Sequence, residues 1–317
     1  EDLTMSVGQT AIRLLGALLL LGGAGLVLPE WAQFLATLAL AKGLVVLGLL
    51  ILWRTGLVPF GQALFYGFGG YSVGLLGLYG GLRDIVLLTV LATVLSALLA
   101  ALVGLLLSRY RDIFFAMLSM AFSMILYGIL VKTEALGSTD GFNVVTPTFF
   151  GFAPDGRTMR LGIYLWTAVL CVLAGLGTQR YLASTMGQLA APIRDNEIRV
   201  EYLGVSVRRV IFTKVVVAGA LAGAGGAITA FAVGHIDPDA MTYWTVSGEF
   251  VFVTILSGTG SIVAPFVGSL LFELIRTFAL QYSPYTWQMV LGTSLLLIIL
   301  FLPNGLWSLV SRLQRQS

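Results

Sequence analysis

The 317-residue chain is strongly apolar, with 58% hydrophobic and only 10% charged residues, whereas soluble domains carry roughly 25% charged residues. This composition leaves too little polar surface for an ordinary soluble enzyme, a nucleic-acid-binding protein or a secreted disulfide scaffold. The single cysteine, Cys171, can neither form an internal disulfide nor complete a metal site. The net charge of +3 says less than its distribution, because local positive charge orients the loops of a membrane protein.

Apolar runs long enough to cross roughly 30 Å of hydrocarbon recur along the chain. The full-length runs are residues 11–28, 33–52, 61–80, 85–107, 113–131, 161–179, 210–234 and 260–281, and shorter runs cover 243–256 and 286–301. The sequence therefore predicts an all-α, polytopic membrane protein of about ten transmembrane segments. We interpret residues 1–317 as one transmembrane domain.

The charges of the connecting segments predict the orientation. If all ten runs cross, the connections fall into two sets, one of which includes 53–60, 108–112 and 180–214. That set holds twelve Lys and Arg residues, and the opposite set holds four. By the positive-inside rule the first set and both termini are cytoplasmic. Alternatively, run 11–28 is the core of a signal peptide, because Arg13 precedes it and small residues follow.

Two connections exceed a dozen residues, and loops of that length are usually functional. The outer one, 132–160, is rich in glycine and proline and is predicted to form a periplasmic lip. In the cytoplasmic one, 180–209, Asp195 or Asn196 can cap a short helix that Gly204 ends. So short a helix is marginal alone in water. We therefore expect it to dock on another protein or on this membrane domain, with a solvated connector as the alternative.

The apolar runs contain ionisable residues, which are costly in a membrane and mark function by default. Lys42 and Glu249 lie in the middle of their runs and are candidates for substrate or ion contact. The alternative is that each pairs with polar groups between helices. Glu273 and Arg276, three residues apart, are expected to form a structural pair. His235, at the outer boundary, is expected to be an interface residue.

Small residues at helix-packing spacing, such as Gly219 and Gly223, indicate closely packed helices. The segment 56–61 interrupts one apolar region, and the run 243–256 is too short to span the bilayer. Paired broken segments of this kind point to a substrate path in transporters. If the second to fifth runs correspond to the seventh to tenth, each run precedes its counterpart by five crossings. Because five is odd, the second group enters the membrane from the opposite side, and the sequence therefore also predicts an inverted repeat.

The sequence contains neither a nucleotide-binding loop of the G-x-x-x-x-G-K-[ST] type nor a recognisable catalytic or metal-ligand motif. It therefore predicts a protein that is not an enzyme. Energy for transport must come from other polypeptides or from an ion gradient. An ion-coupled secondary transporter that uses Lys42 and Glu249 is the alternative to a permease driven by other subunits.

Several ordered motifs are similar to those of one family. They lie at 56–71, 109–122, 137–141, 194–204, 219–227, 249–261 and 301–306. Together these motifs resemble the permease subunits of bacterial ABC importers for branched-chain amino acids, hydrophobic amino acids and urea. Lys42 has no counterpart in that pattern, and one hypothesis is that it attracts an anionic substrate such as an aromatic carboxylate.

The resemblance implies a type II importer-like permease fold in the bacterial inner membrane, surrounded by lipid. It implies a heterodimer with a second, homologous permease, two cytoplasmic ATPase subunits that bind ATP and Mg, and a periplasmic substrate-binding protein. No cofactor in this chain and no nucleic-acid partner are expected. The expected substrate-path residues are Lys42, Gln62, Ser119, Ser123 and Glu249. The residues expected to couple to the ATPase are Arg194, Asp195, Asn196, Glu197, Arg199, Glu201 and Gly204.

Overall fold

The fold is almost entirely helical. The computed structural model describes residues 16, 21–23, 25, 27–282, 284–301 and 305–307, so most of the predicted run 11–28 lies outside the described residues. The longer helices are α1 Glu30–Trp53, α2 Gln62–Leu78, α3 Ile85–Leu107, α4 Asp112–Lys132, α5 Gly156–Ala183, α9 Val207–Val233, α11 Trp244–Ser257, α12 Ala264–Tyr282 and α13 Trp287–Phe301. The short helices are α6 Thr185–Gln188, α7 Ala190–Asp195, α8 Glu197–Tyr202 and α10 Pro238–Met241.

The all-α, polytopic prediction is confirmed. Each predicted run from 33–52 onward overlaps one of the longer helices over most of its length. By length and composition, five of the described helices can cross a membrane on their own: α1, α3, α4, α5 and α9. Helix α2 has 17 residues and α11 has 14, which correspond to about 25 Å and 21 Å. These two helices are shorter than the roughly 30 Å hydrocarbon core.

Helix α9 lies at the centre of the bundle. Gly48 of α1 packs on Ala218, and Gly69 of α2 packs on Gly223. On a third side, Gly219 packs on Ala100 of α3. A β-carbon at these glycines would lie closer to the neighbouring helix than normal van der Waals contact allows. The helices can therefore approach this closely only because glycine has no side chain. The small-residue spacing predicted from the sequence is thus a packing feature of the central helix.

These contacts also fix the helix directions. Helices α1 and α9 are antiparallel, since Gly48 meets Ala218 while Gly225 meets Ala41. Helix α2 is parallel to α9, since Gln62 bonds to Ala218 and Gly69 meets Gly223. The connections 54–61, 108–111 and 184–206 therefore lie at one end of the bundle. The predicted inverted repeat requires α1 and its counterpart α9 to run in opposite directions, and they do.

Positive charge is concentrated at this end, which we name the basic end. Its connections and adjoining helix termini carry Arg54, Arg109, Arg111, Arg180, Arg194, Arg199, Arg208 and Arg209. Direct contacts join elements at this end: Arg54 donates to the carbonyl of Thr259, which follows α11, and Arg208 of α9 donates to the carbonyl of Leu105 of α3. The charge asymmetry that was predicted from the sequence is thus present in the fold.

The opposite end carries an ordered lip. Strand β1, Phe142–Asn143, pairs antiparallel with β2, His235–Ile236, and His235 Nδ1 lies 2.9 Å from Asn143 Oδ1. The pairing brings Gly141, whose φ is 67°, against the carbonyl oxygen of Ile236. Because only glycine tolerates both this backbone conformation and this contact, Gly141 fixes the lip against the end of α9. His235 thus contacts the lip of its own chain.

Replacing Gly141 with alanine is expected to detach the lip from β2, because the new β-carbon would overlap the Ile236 carbonyl. We expect faster proteolytic cleavage within 132–155 and a loss of stability of about 2 kcal/mol or more. Gly151→Ala is the matched control, since Gly151 also has positive φ but no atom within 4 Å of the added carbon. Equal effects of the two substitutions would show that backbone strain alone, and not the contact, matters.

Candidate functional site

The start of α2 lies inside the bundle and not at its end. Gln62 Nε2 donates to the carbonyl of Ala218, the twelfth residue of α9, and that position is about 16 Å along the helix. The non-helical segment 54–61 leads down to this point, with Leu57 and Pro59 buried. Irregular backbone at this depth is tolerated only where protein encloses it or where it lines a cavity. The predicted interruption at 56–61 is therefore a broken membrane segment.

Serine side chains from other helices satisfy the backbone at this break. Ser119 Oγ of α4 accepts from the Phe60 amide at 3.1 Å, and Ser247 Oγ of α11 accepts from the Ala63 amide at 2.9 Å. One turn further along α4, Ser123 Oγ donates to the carbonyl of Thr242. We name this set, with Gln62, the polar seam. Through hydrogen bonds inside an apolar bundle it joins α2 and the residues before it to α4, α9 and α11, and it joins α4 to the connection before α11.

The structure brings together three of the predicted path residues, Gln62, Ser119 and Ser123, in the polar seam. All three are buried and hydrogen-bonded, so they position the break between the helices. Their contact with a substrate stays a prediction. Sequence reasoning missed Ser247, because its partner, the Ala63 amide, lies 184 residues away and leaves no local signal.

The other two predicted path residues belong to a separate group of four charges. Lys42 Nζ lies 2.5 Å from Glu273 Oε1 and 3.5 Å from Glu249 Oε2. Arg276 Nη1 lies 3.1 Å from the same Glu249 oxygen. We name Lys42, Glu249, Glu273 and Arg276 the charge quartet. It joins α1, α11 and α12, and its two positive and two negative charges balance.

The quartet changes two of the sequence-based interpretations. The prediction that Glu273 and Arg276 pair with each other is wrong, because Glu273 pairs with Lys42 and Arg276 pairs with Glu249. Lys42 lies between two carboxylates, so its charge is already compensated. The structure therefore gives no support to Lys42 as an attractor for an anionic substrate. Among the described residues, no group of three or more His, Cys, Asp or Glu side chains is arranged to hold a metal ion.

At the basic end, the residues predicted to couple to an ATPase form a short helical projection. Asn196 caps α8, since its Oδ1 accepts from the Arg199 amide at 3.0 Å, and Gly204 follows the helix with a φ of 82°. The predicted cap and end of this helix are thus confirmed. We name residues 194–204 the coupling segment. Its apolar side chains Ile198, Tyr202 and Leu203 are 65%, 87% and 79% exposed.

Two contacts tie the coupling segment to the bundle. Arg111 immediately precedes α4 and donates to both carboxylate oxygens of Glu197, from Nε to Oε2 at 2.7 Å and from Nη2 to Oε1 at 2.6 Å. The Arg194 side chain packs on Gly56, in the segment that leads to α2. In that same segment, burial lowers the pKa of Arg54, which nevertheless stays charged. The coupling segment thus contacts the residues that lead into α4 and α2, the two helices that meet at the polar seam.

Taken together, the helical bundle, the broken segment and the charged groups within it define a polytopic membrane permease. A family model described as "Branched-chain amino acid transport system / permease component" matches residues 32–300. The chain therefore belongs to the family of permease components of branched-chain amino acid transport systems.

Two curated relatives carry the same description, "High-affinity branched-chain amino acid transport system permease protein LivM". The protein from Escherichia coli K12 is 27% identical over 296 residues, which is 86% of this chain and 69% of the relative. The protein from Salmonella typhimurium LT2 is 27% identical over 295 residues, with the same coverage of both chains. No solved structure matches the chain significantly.

Proposed function

We propose that this chain is the membrane subunit of a bacterial ABC importer that carries a branched-chain or other hydrophobic amino acid into the cytoplasm. Separate ATPase subunits, which bind ATP and Mg, drive the transport from the basic end, which faces the cytoplasm. A second permease completes the path, and a periplasmic binding protein delivers the substrate to the lip. The inner membrane is the proposed location, and both termini lie on the cytoplasmic side.

The coupling segment is the single observation that carries this proposal. Three large apolar side chains stand exposed at the basic end of the bundle, in a short segment outside the longer helices. An exposed apolar patch marks a contact with another protein or with the membrane surface, and we assign this one to the ATPase subunits. The Arg111–Glu197 pair connects that contact rigidly to α4, because a bidentate guanidinium–carboxylate pair fixes both distance and orientation.

Replacing Glu197 with alanine in the complete importer is expected to uncouple ATP hydrolysis from uptake, because α4 loses its link to the coupling segment. We expect amino-acid uptake in proteoliposomes to fall about tenfold while ATP hydrolysis persists, since a charged hydrogen-bonded pair is worth about 1.5–3 kcal/mol. The exchange Arg111→Glu with Glu197→Arg should restore part of the uptake. Unchanged transport in Glu197→Ala would contradict the coupling role.

The docking role is tested separately through the apolar face. Ile198→Asp combined with Leu203→Asp should abolish co-purification of the ATPase subunits, because it places charge in the centre of the expected contact. Met186→Asp, on the neighbouring helix α6, is the control and should leave the complex intact. Retention of the ATPase subunits by the double variant would show that this face is not their docking surface.

A second candidate function, an ion-coupled carrier, is favoured by one observation, the charge quartet within the membrane segments. Buried ionisable groups of this kind occur in proton and sodium relays. This candidate predicts that the purified chain alone accumulates substrate under a proton or sodium gradient. Uptake by the chain alone would replace the ABC importer proposal, whereas uptake only with ATPase subunits and ATP supports it.

A further inference from the structure

Lys214 is a fully buried lysine in the central helix α9. It is the eighth residue of that helix, which places it about 10 Å from the basic end of α9. Its Nζ donates to Thr55 Oγ1 at 2.6 Å, and among the described residues no carboxylate lies within ion-pair distance of it. The charged group that acts on it is Arg54, which is also positive. Unlike Lys42, Lys214 is therefore a buried amine without a counter-ion in this part of the fold.

The partner of Lys214 lies in residues 55–61, the short segment between α1 and α2, which we name the strap. Two contacts one turn apart on α9 hold the strap and the start of the helix that follows it. Lys214 donates to Thr55, and the carbonyl of Ala218 accepts from Gln62. The strap contains neither helix nor strand, so regular secondary structure does not hold it in place.

The strap also contacts the coupling segment. The Arg194 side chain packs on Gly56, the residue next to Thr55. Gly56 has a φ of 82°, a conformation that glycine adopts without the steric cost of a β-carbon. This glycine can therefore act as a hinge between α1 and the strap. The coupling segment thus contacts the strap directly beside the residue that binds Lys214.

A buried amine without a carboxylate favours any conformation in which it reaches water. If Lys214 keeps its charge, burial removes the hydration of that charge, and Thr55 supplies one acceptor for three N–H groups. If Lys214 loses its proton, the cost of deprotonation replaces the cost of burying a charge. Either cost disappears when the side chain is hydrated. Lys214 therefore disfavours the arrangement in which the strap lies against α9, and the bond to Thr55 offsets part of that effect.

We propose that Lys214 and Thr55 form a latch on the substrate path. The latch is closed in this structure, where the strap lies against α9. It opens when movement of the coupling segment draws the strap away and water reaches Lys214 from the basic end. The buried amine lowers the free energy of opening, and Thr55 holds the closed state. The inference rests on the proposed function and adds the residues that control the path between the polar seam and the basic end.

The test measures how fast a cysteine on the strap reacts with a charged methanethiosulfonate reagent, in the complete importer in lipid nanodiscs. Leu57→Cys is the reporter, because Leu57 is buried in the closed strap, and Cys171→Ala removes the single native cysteine of this chain. ATP should raise the labelling rate. Lys214→Met should lower it about tenfold, because an apolar side chain favours the closed state, and Thr55→Val should raise it about tenfold.

The double variant distinguishes a latch from a simple structural contact. With Lys214→Met and Thr55→Val together, no buried amine remains, so the labelling rate should stay as low as in Lys214→Met alone. A structural contact predicts instead that every loss of this hydrogen bond loosens the strap and raises the rate. Misfolding would also raise the rate, so it cannot produce the expected decrease.

Thr37→Val is the control, because Thr37 is buried on α1 and its hydroxyl donates to Gln33 within the same helix. It should leave the labelling rate unchanged. The inference is overturned if ATP does not change the rate, if Lys214→Met does not lower it, or if the double variant reacts as fast as Thr55→Val. The proposed function fails separately, if the complete wild-type importer shows no ATP-dependent amino-acid uptake.

Discussion

Replacing Lys42 with methionine is expected to be one of the most destabilising single changes in this protein. Methionine keeps much of the length and the apolar stem but removes the charge that lies 2.5 Å from Glu273. Glu273 is 6% exposed, so its carboxylate would be left buried without its partner. Breaking a buried ion pair in this way costs about 3–5 kcal/mol. Thermal unfolding in detergent should show the loss as a clear fall in Tm.

The combination of Lys42→Met with Glu273→Gln should recover most of that loss, because it removes both buried charges together. Lys132→Met, at the exposed end of α4, serves as the control for losing a lysine and should leave Tm nearly unchanged. If the single and double variants unfold at the same temperature, the Lys42–Glu273 pair is not what stabilises the contact between α1 and α12.

Replacing Gly226 with alanine is expected to push α9 away from α2 at the centre of the bundle. The added β-carbon would overlap the backbone carbonyl oxygen of Tyr66 on α2, and backbone atoms cannot give way as a flexible side chain can. We expect a loss of about 3 kcal/mol or more, at the upper end of overpacking effects. The measurement is the fraction of folded, monodisperse protein that remains after heating, compared with wild type.

Gly177 of α5 is the matched control for this change. It is a helical glycine whose added β-carbon would meet nothing within 4 Å. Gly177→Ala should therefore be neutral or stabilise the helix by up to about 1 kcal/mol, the intrinsic preference of alanine over glycine. A similar loss at Gly177 and Gly226 would mean that close approach to α2 is not the reason that glycine is needed at 226.

The site itself could be predicted only in part. The coupling segment was located from its cap and its terminal glycine, both of which are encoded within a few consecutive residues. The link between Arg111 and Glu197 was not predicted, although both residues lie in motifs that resemble the family. Their 86-residue separation gives no local signal, because the charge pattern places both residues at the same end but does not say which side chains meet there.

The same limit explains the exchanged partners in the charge quartet. Glu273 and Arg276 are three apart, and helical spacing alone favours a pair between them. In the folded chain Lys42 lies between Glu273 and Glu249, so the carboxylate of Glu273 turns to α1. Arg276 is then left to bind Glu249 on α11. Where burial makes an unpaired charge costly, ion pairs that join three helices stabilise the fold more than one pair along a single helix.

The sequence by itself determined that this is an all-α membrane protein, where its helices lie, and which end is basic. Those properties depend on hydropathy and charge within short stretches, so the local sequence is enough to set them. Only the tertiary structure decided that the polar seam and the charge quartet are two separate groups, and that α2 begins deep inside the bundle. The reason is that such contacts arise from the way the helices cross, which no local run of residues specifies.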